Sequence, residues 1–386
     1  MAGIYIHIPF CKQACYYCDF HFSTSLKKKA DMISALQNEL FLRKDELRNQ
    51  FVETIYFGGG TPSLLTNEEI QEIINSVYNN YQVVEEPEIT LESNPDDLIQ
   101  SELSPRAESR GLFESYKEIG INRLSIGIQS FFEQDLKLMN RAHNAQEAKN
   151  CLKEATKHFN NISIDLIYGI PNATNEQWLK NIDIGLSYGI PHISCYALTV
   201  EPETALESFI KKGIVQDVDD EVAQEQFHLL TNKLETEGFI HYELSNFGKP
   251  NFFSKNNTAY WQGKIYLGIG PSAHSFNGKQ RGWNVRNNTK YIKALQDNKL
   301  AIEWESLTTT DSYNEYIMTG LRTIWGVSLT KVETEFGISY KKYLLQQAQR
   351  HIDQQLLYIQ NDVLLVTSEG KFLTDGIASD LFKLNL

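Results

Sequence analysis

Apolar and polar positions along the N-terminal half of the chain alternate between two periods. Short runs rich in β-branched and aromatic residues predict strands over 4–8, 51–57, 88–91, 123–128, 162–167 and 192–198. Between them apolar residues recur at helical intervals. Met32, Leu36, Leu40 and Leu47 mark a helix over 27–48 that contains no Pro or Gly. Further helices are predicted over 67–78, up to about Gly120, over 146–157 and over 176–186. Six strands alternating with helices imply a parallel α/β sheet joined by right-handed crossovers. Functional groups in such sheets gather at the C-terminal strand ends. Cys11, the run Gly58-Gly59-Gly60-Thr61-Pro62, Glu92, Gln129, Asp165 and Ala197 stand at the six predicted ends in turn. Packing alone does not account for a distinctive residue at each of them.

Beyond the sixth strand the pattern changes. Residues 202–237 are helical in period and charged, 240–244 form a short extended piece, and a polar, aromatic, glycine-containing stretch runs to about Trp283. From Leu307 helices are predicted over 313–321 and 340–357, then extended residues over 364–366 and a last helix near Leu381. The expected organisation is a core domain over 1–238, a connecting segment over 239–300 and a small, mainly helical C-terminal domain of winged-helix type over 301–386. The segment from Ser101 to Ser115, with Pro105 and Gly111, reads as a surface loop without an assigned role. No internal repeat or low-complexity tract stands out.

With 386 residues and 41% of them hydrophobic, the chain has ample material for such a core. No apolar run approaches the length of a membrane span, and a strand begins within a few residues of Met1, leaving no room for a signal peptide. The expectation is a soluble cytoplasmic protein. The net charge of −13, from 36 basic and 49 acidic residues, argues against a general nucleic-acid binder. Lys27-Lys28-Lys29 is too short to alter that and reads as a solvated helix start. An acidic surface suits a basic redox partner, although charge alone identifies none.

Three of the five cysteines, Cys11, Cys15 and Cys18, follow the first strand at once, after Pro9 has ended it. Three thiolates on one loop can hold three irons of a 4Fe-4S cube and leave the fourth open to a small molecule. The rival is zinc, which needs four protein ligands. His7 and His21 are the nearest further candidates, and neither stands at a usual hook spacing. Three cysteines in one loop cannot all pair within it, and the total is too sparse for a disulfide scaffold. The isolated Cys151 and Cys195 read as buried small hydrophobes.

The spacing Cys-x3-Cys-x2-Cys resembles the signature of radical S-adenosylmethionine (SAM) proteins. That resemblance implies an open six-stranded (β/α)6 barrel and a 4Fe-4S cluster whose open iron is chelated by SAM, with reductive cleavage of the cofactor to a deoxyadenosyl radical. The run from Tyr5 to Phe10, with Cys18-Asp19-Phe20, is similar to the oxygen-independent coproporphyrinogen III oxidase family, and within it to the heme chaperone branch. By resemblance Tyr5, Tyr17, Gly59, Gly60, Thr61, Glu92 and His274 line the cofactor, and the glycine segment from Gly268 to His274 closes over its adenine. Gln129, Arg141, Asp165 and Ala197 line the cavity, where the oxidase places a second SAM. Arg141 also has the planar donor fork of a carboxylate clamp.

Two departures separate the branches. The oxidase has a further cysteine two residues after the third, where this chain has Phe20, and an extension before the first strand. Both differences point to a heme chaperone that carries heme to an acceptor protein, with a flavodoxin- or ferredoxin-like electron donor as a candidate partner. The oxidase activity and a radical SAM enzyme on another substrate are the alternatives. The chaperone branch usually carries His-Asn-x-x-Tyr-Trp, whereas this chain reads Asn256-Asn257-Thr258-Ala259-Tyr260-Trp261. No heme ligand is therefore assigned from sequence; His7, His241 and His274 remain candidates.

Overall fold

A computed structural model describes residues 1–99 and 109–384. Six parallel strands form its centre: β1 (Ala2–Ile8), β2 (Val52–Gly59), β3 (Val83–Ser93), β4 (Arg123–Gln129), β5 (Ile162–Tyr168) and β6 (His192–Ala197). They neighbour one another in chain order. Alternation within β1 explains its two faces. Ile4, Ile6 and Ile8 are buried in the main core with Met32, Leu36 and Leu40 of the helix Lys29–Leu42, each side chain worth roughly 1.5–3 kcal/mol of burial. Tyr5 and His7 point the other way, and Tyr5 lies in register with Tyr56 of β2, their rings 6.0 Å apart. The helices Asn67–Asn80, Ala145–His158 and Asn175–Ser187 start at capping boxes, Thr66 with Glu69, Asn144 with Glu147 and Thr174 with Gln177.

The sheet is open and longer than the six predicted strands. Beyond β6 lie antiparallel β7 (Ile240–Glu243) and β8 (Asn246–Gly248). On the far side β9 (Ile265–Ile269) runs parallel to β1, followed by antiparallel β10 (His274–Phe276), β11 (Gln280–Asn284) and β12 (Ile302–Ser306). These strands are short, and glycine and polar residues interrupt their alternation, which is why the stretch around Trp283 reads as irregular from sequence.

Several other boundaries move. The first helix stops at Leu42, and β3 extends to both sides of its predicted span. Residues from Ser109 onward in the expected 101–115 loop belong to the helix Ser109–Glu118, while 101–108 lie outside the described residues. Asp165 is not at a strand end. It sits in the middle of β5, which continues to Tyr168 and turns at Gly169, where φ is +69°.

The C-terminal region has its own core, built from residues such as Tyr313, Ile317, Leu344, Leu357 and Leu364. Helices Thr309–Leu321, Leu329–Phe336, Ile338–Asp353 and Thr374–Asp380 surround a three-stranded sheet of β13 (Val327–Ser328), β15 (Val363–Val366) and β14 (Leu357–Gln360). The β14–β15 hairpin turns through Asn361 and Asp362, both at positive φ, as a two-residue turn of matching twist requires. Backbone bonds from Leu244 to Arg322 (3.0 Å) and from Ile324 to Tyr242 (3.1 Å) join this region to the barrel.

Candidate cofactor site

The cysteine loop is pinned from several directions. The Cys11 N–H donates to the Ser23 carbonyl at 3.1 Å and the Tyr16 N–H to the Met139 carbonyl at 3.1 Å. Asn140 donates to the Ala14 carbonyl at 2.7 Å and accepts from Gln13 at 2.8 Å. All three thiols are free and partly buried. Burial pushes the Cys11 thiol up to about 11, against a hydrogen bond with Thr61, and raises Cys18 as well. Among the described residues no three His, Cys, Asp or Glu converge closely enough to hold a single metal ion. A cube spreads its ligands over separate irons, so its thiolates need not meet at one point.

Arg141 supplies the positive charge beside this loop. Its guanidinium donates to Cys15 Sγ at 3.3 Å, to Asn94 Oδ1 at 2.5 Å and to the Gly127 carbonyl at 3.0 Å, while its Nε is buried without a partner. A cation with an unused buried donor suits an anionic occupant next to the thiols. Burial raises the Tyr17 phenol, and the neighbouring Arg141 opposes that rise. The Gln129 side chain reaches the same spot: a Cβ on Gly127 would lie 3.0 Å from Gln129 Nε2 and 3.2 Å from Arg141. Gln129 itself has φ +67°, an unusual conformation for a non-glycine residue.

A second group faces a cavity of about 420 Å³ lined by Tyr5, Gly59, Glu92 and His274, among others. Thr61, Tyr17, Gln129, Arg141, Asp165 and Ala197 do not line it. Ala197 ends β6 opposite Tyr168. Glu92 accepts from the Tyr56 hydroxyl at 2.9 Å and from the Gly59 N–H at 3.0 Å. Its carboxyl is nevertheless pushed up to about 7, by burial first and by the Asp165 charge second. Burial also raises Asp165 to about 6, opposed by Arg123 and the Ser194 and Ser125 hydroxyls. The glycine run has no room for side chains. A Cβ on Gly59, where φ is +106°, would meet the His7 ring at 2.4 Å, and one on Gly60 would lie 2.5 Å from the Phe10 carbonyl oxygen. Burial holds His7 neutral, down to about 4. Its Nε2 is 2.9 Å from the His21 carbonyl and therefore donates, which leaves Nδ1 to accept from the Tyr5 hydroxyl at 3.3 Å.

Sequence reasoning missed a buried device beneath this cavity. Glu39 and Arg43 are each 1% exposed. Glu39 accepts from the Gly270 N–H at 2.9 Å, Arg43 at 2.9 Å, Asn284 at 2.8 Å and the Tyr291 hydroxyl at 2.5 Å. Arg43 also donates to the Gly268 carbonyl at 2.9 Å. This network fixes the Gly268-to-His274 segment. Two charged residues four apart among Leu36 and Leu40 on the apolar face of a helix were the available signal. Tyr56, Asn94 and Arg123 were also missed, although Tyr56 precedes Gly58 by one strand period.

Residues 5–205 match the Radical SAM superfamily model, and 307–373 match the HemN C-terminal domain. Over its full length the chain is 30% identical to the heme chaperone HemW of Mycobacterium tuberculosis H37Rv, spanning 98% of this chain and 94% of the relative. The chain belongs to the radical SAM superfamily, within the HemW family. HemW of Lactococcus lactis is 31% identical over 97% of both chains, and that of Bacillus subtilis 30% over 98% of both. Among solved structures, coproporphyrinogen III oxidase HemN from Escherichia coli superposes with a TM-score of 0.84 at 22% identity, covering 99% of this chain and 90% of HemN. At that identity the likeness concerns the fold. Among the described residues no helix is long and apolar enough to cross a membrane.

Proposed function

We propose that the chain is a cytoplasmic heme chaperone that binds a 4Fe-4S cluster, SAM and heme, and passes the heme to an acceptor protein. The observation that carries the reading is a pinned three-cysteine loop beside Arg141, followed at once by Asp19 and Phe20 in the lining of the Glu92 cavity, in a chain that resembles curated heme chaperones from end to end. Cys11, Cys15 and Cys18 hold the cluster. Tyr5, Tyr17, Gly59, Gly60, Thr61, Glu92 and His274 receive SAM, with Gln129, Arg141, Asp165 and Ala197 completing the lumen. When bound, the cluster supplies one electron to the SAM sulfonium.

The chain's own groups prepare that site. Gly59 offers bare backbone to the cavity, and close packing on His7 at a positive φ keeps that position free of a side chain. Glu92 offers acceptors for ribose hydroxyls or an ammonium, and Arg141 offers a donor to a carboxylate. The Glu39–Arg43 pair positions the glycine segment without touching the ligand. In this organisation 1–238 is the radical SAM domain, 239–300 closes the site, and 301–386 forms the HemN-like domain. A flavodoxin- or ferredoxin-like protein supplies the electron. Phe20 favours the chaperone over the oxidase: it stands where the oxidase carries a further cysteine, and it is 68% exposed at the cavity.

Anaerobic reconstitution of the full chain, followed by hemin titration and a coproporphyrinogen assay on the same sample, tests the proposal. The expected result is a cluster, a hemin-dependent Soret change and no porphyrin turnover. Turnover without hemin binding overturns the chaperone reading, and full iron and sulfide in Cys15→Ala overturns the ligand set.

A further inference from the structure

A larger cavity, about 940 Å³, lies between the strand extension of the barrel and the C-terminal domain. Its walls are aromatic on both sides, with Tyr260, Trp261, Tyr266 and Phe276 from the barrel side and Tyr316 and Phe336 from the C-terminal domain. Arg281 and Arg322 also line it, and the Nε of each is buried without a hydrogen-bond partner. Arg281 is already paired with Glu315 and Glu305, and Arg322 with Asp375, so each keeps one free Nε donor toward a cavity that Glu243, Glu315 and Glu335 also line. Aromatic walls with two such donors suit a planar aromatic molecule that carries carboxylates.

We infer that the heme cargo occupies this cavity, with the Tyr266 phenolate as its iron ligand and Arg281 beside that oxygen. The inference rests on the heme reading above and names the site that reading leaves open.

The lining contains no histidine. Asn256, at the position of the family histidine, is turned away: its Oδ1 accepts from Thr54 at 2.9 Å, and the residue is 2% exposed. His241 has both ring nitrogens engaged, with the Leu244 carbonyl at 3.0 Å and Lys371 at 2.9 Å, and His274 lines the smaller cavity. The lining carries phenols, Met318, Lys331 and the carboxylates of Glu243, Glu315 and Glu335. Phenolate ligation of ferric heme needs a nearby cation to stabilise the anion.

Register provides that cation for one phenol. Tyr266 of β9 pairs with Phe276 of β10, and Phe276 pairs with Arg281 of β11, so the three side chains form one row on one face of the sheet. Arg281 also bonds Glu315 of the helix Thr309–Leu321 at 2.9 Å, which ties the row to the C-terminal domain. Burial raises the Tyr266 phenol, Arg281 opposes that rise and Glu315 adds to it; the other phenols lack the opposing cation. Tyr196 has Asp165, Glu243 and Glu92 as neighbours, Tyr260 has Glu92, and the Tyr316 hydroxyl is occupied by the Ser328 N–H at 3.0 Å. Tyr260 and Tyr266 line both cavities, so they form the wall between the cofactor side and the heme side.

The test is hemin titration of the cluster-loaded full chain, read by visible absorption and resonance Raman. Wild type is expected to show a high-spin ferric spectrum with a phenolate-to-iron charge-transfer band. Tyr266→Phe should abolish that band and weaken hemin binding by roughly tenfold or more, with cluster content and melting temperature unchanged. Arg281→Gln should shift the band and weaken binding, while Tyr358→Phe, which removes an exposed phenol outside this cavity, leaves both as in wild type. Hemin binding with a wild-type spectrum in Tyr266→Phe, or a histidine-type low-spin spectrum in wild type, overturns the inference and leaves the chaperone reading intact. No hemin binding by wild type overturns both.

Discussion

Glu92 makes the stability of the cofactor-free chain depend on pH in a direction that one substitution can expose. Its folded carboxyl releases its proton near 7, whereas an unfolded glutamate does so near 4.5. Between those values the folded state holds a proton that the unfolded state has lost, so stability falls as pH rises through that window and levels off above it. The full shift corresponds to about 3.4 kcal/mol, of which about 2.5 kcal/mol develops between pH 5 and pH 8. Glu92 borders a cavity and is only partly buried, so screening there reduces the expected effect to about 2 kcal/mol. Glu92→Gln removes the titration but disturbs the hydrogen bond from the Gly59 N–H, a pH-independent cost of roughly 1–3 kcal/mol. Urea or thermal unfolding of both chains at pH 5, 6, 7 and 8 separates the two effects. The variant should start below wild type at pH 5 and gain on it by about 2 kcal/mol by pH 8. Asp165 titrates with the same sign in both chains and cancels to first order. Stability curves that run parallel across this range would refute the burial argument.

Glu39→Gln should cost about 2–4 kcal/mol, because it leaves Arg43 buried with only the partly exposed Glu46 as a charge partner. Amide exchange checks the mechanism as well as the magnitude: the Gly270 N–H should exchange faster, and unchanged protection there would contradict the positioning role. Asn256→His, which restores the family residue, should not produce a histidine-ligated hemin spectrum, because this position is buried against Thr54. Appearance of such a spectrum would show that the helix Lys255–Trp261 can turn its first residues toward the heme.

The six parallel strands and their order could be read from the sequence because each carries a strong local signal between helices with clear periodicity. The cysteine loop was legible for a different reason, since its three cysteines lie within eight residues and need no folding to be neighbours. The strand extension was not legible. β8 and β10 have three residues each, too few for alternation to register, and their pairing is decided by the edges of a sheet that must already exist. Asp165 was placed at a strand end because the sequence does not show that β5 continues to Tyr168.

By itself, then, the sequence determined the superfamily, the parallel core and the three cysteines, because local spacing and period are sufficient for each. Tertiary structure alone decided which distant groups share a charge environment. Glu92 is raised because folding buries it near Asp165, Arg141 meets Cys15 from 126 positions away, and Glu39 reaches Gly270 across 231. The row of Tyr266, Phe276 and Arg281 follows from strand register, which depends on long-range pairing rather than on the residues' own preferences.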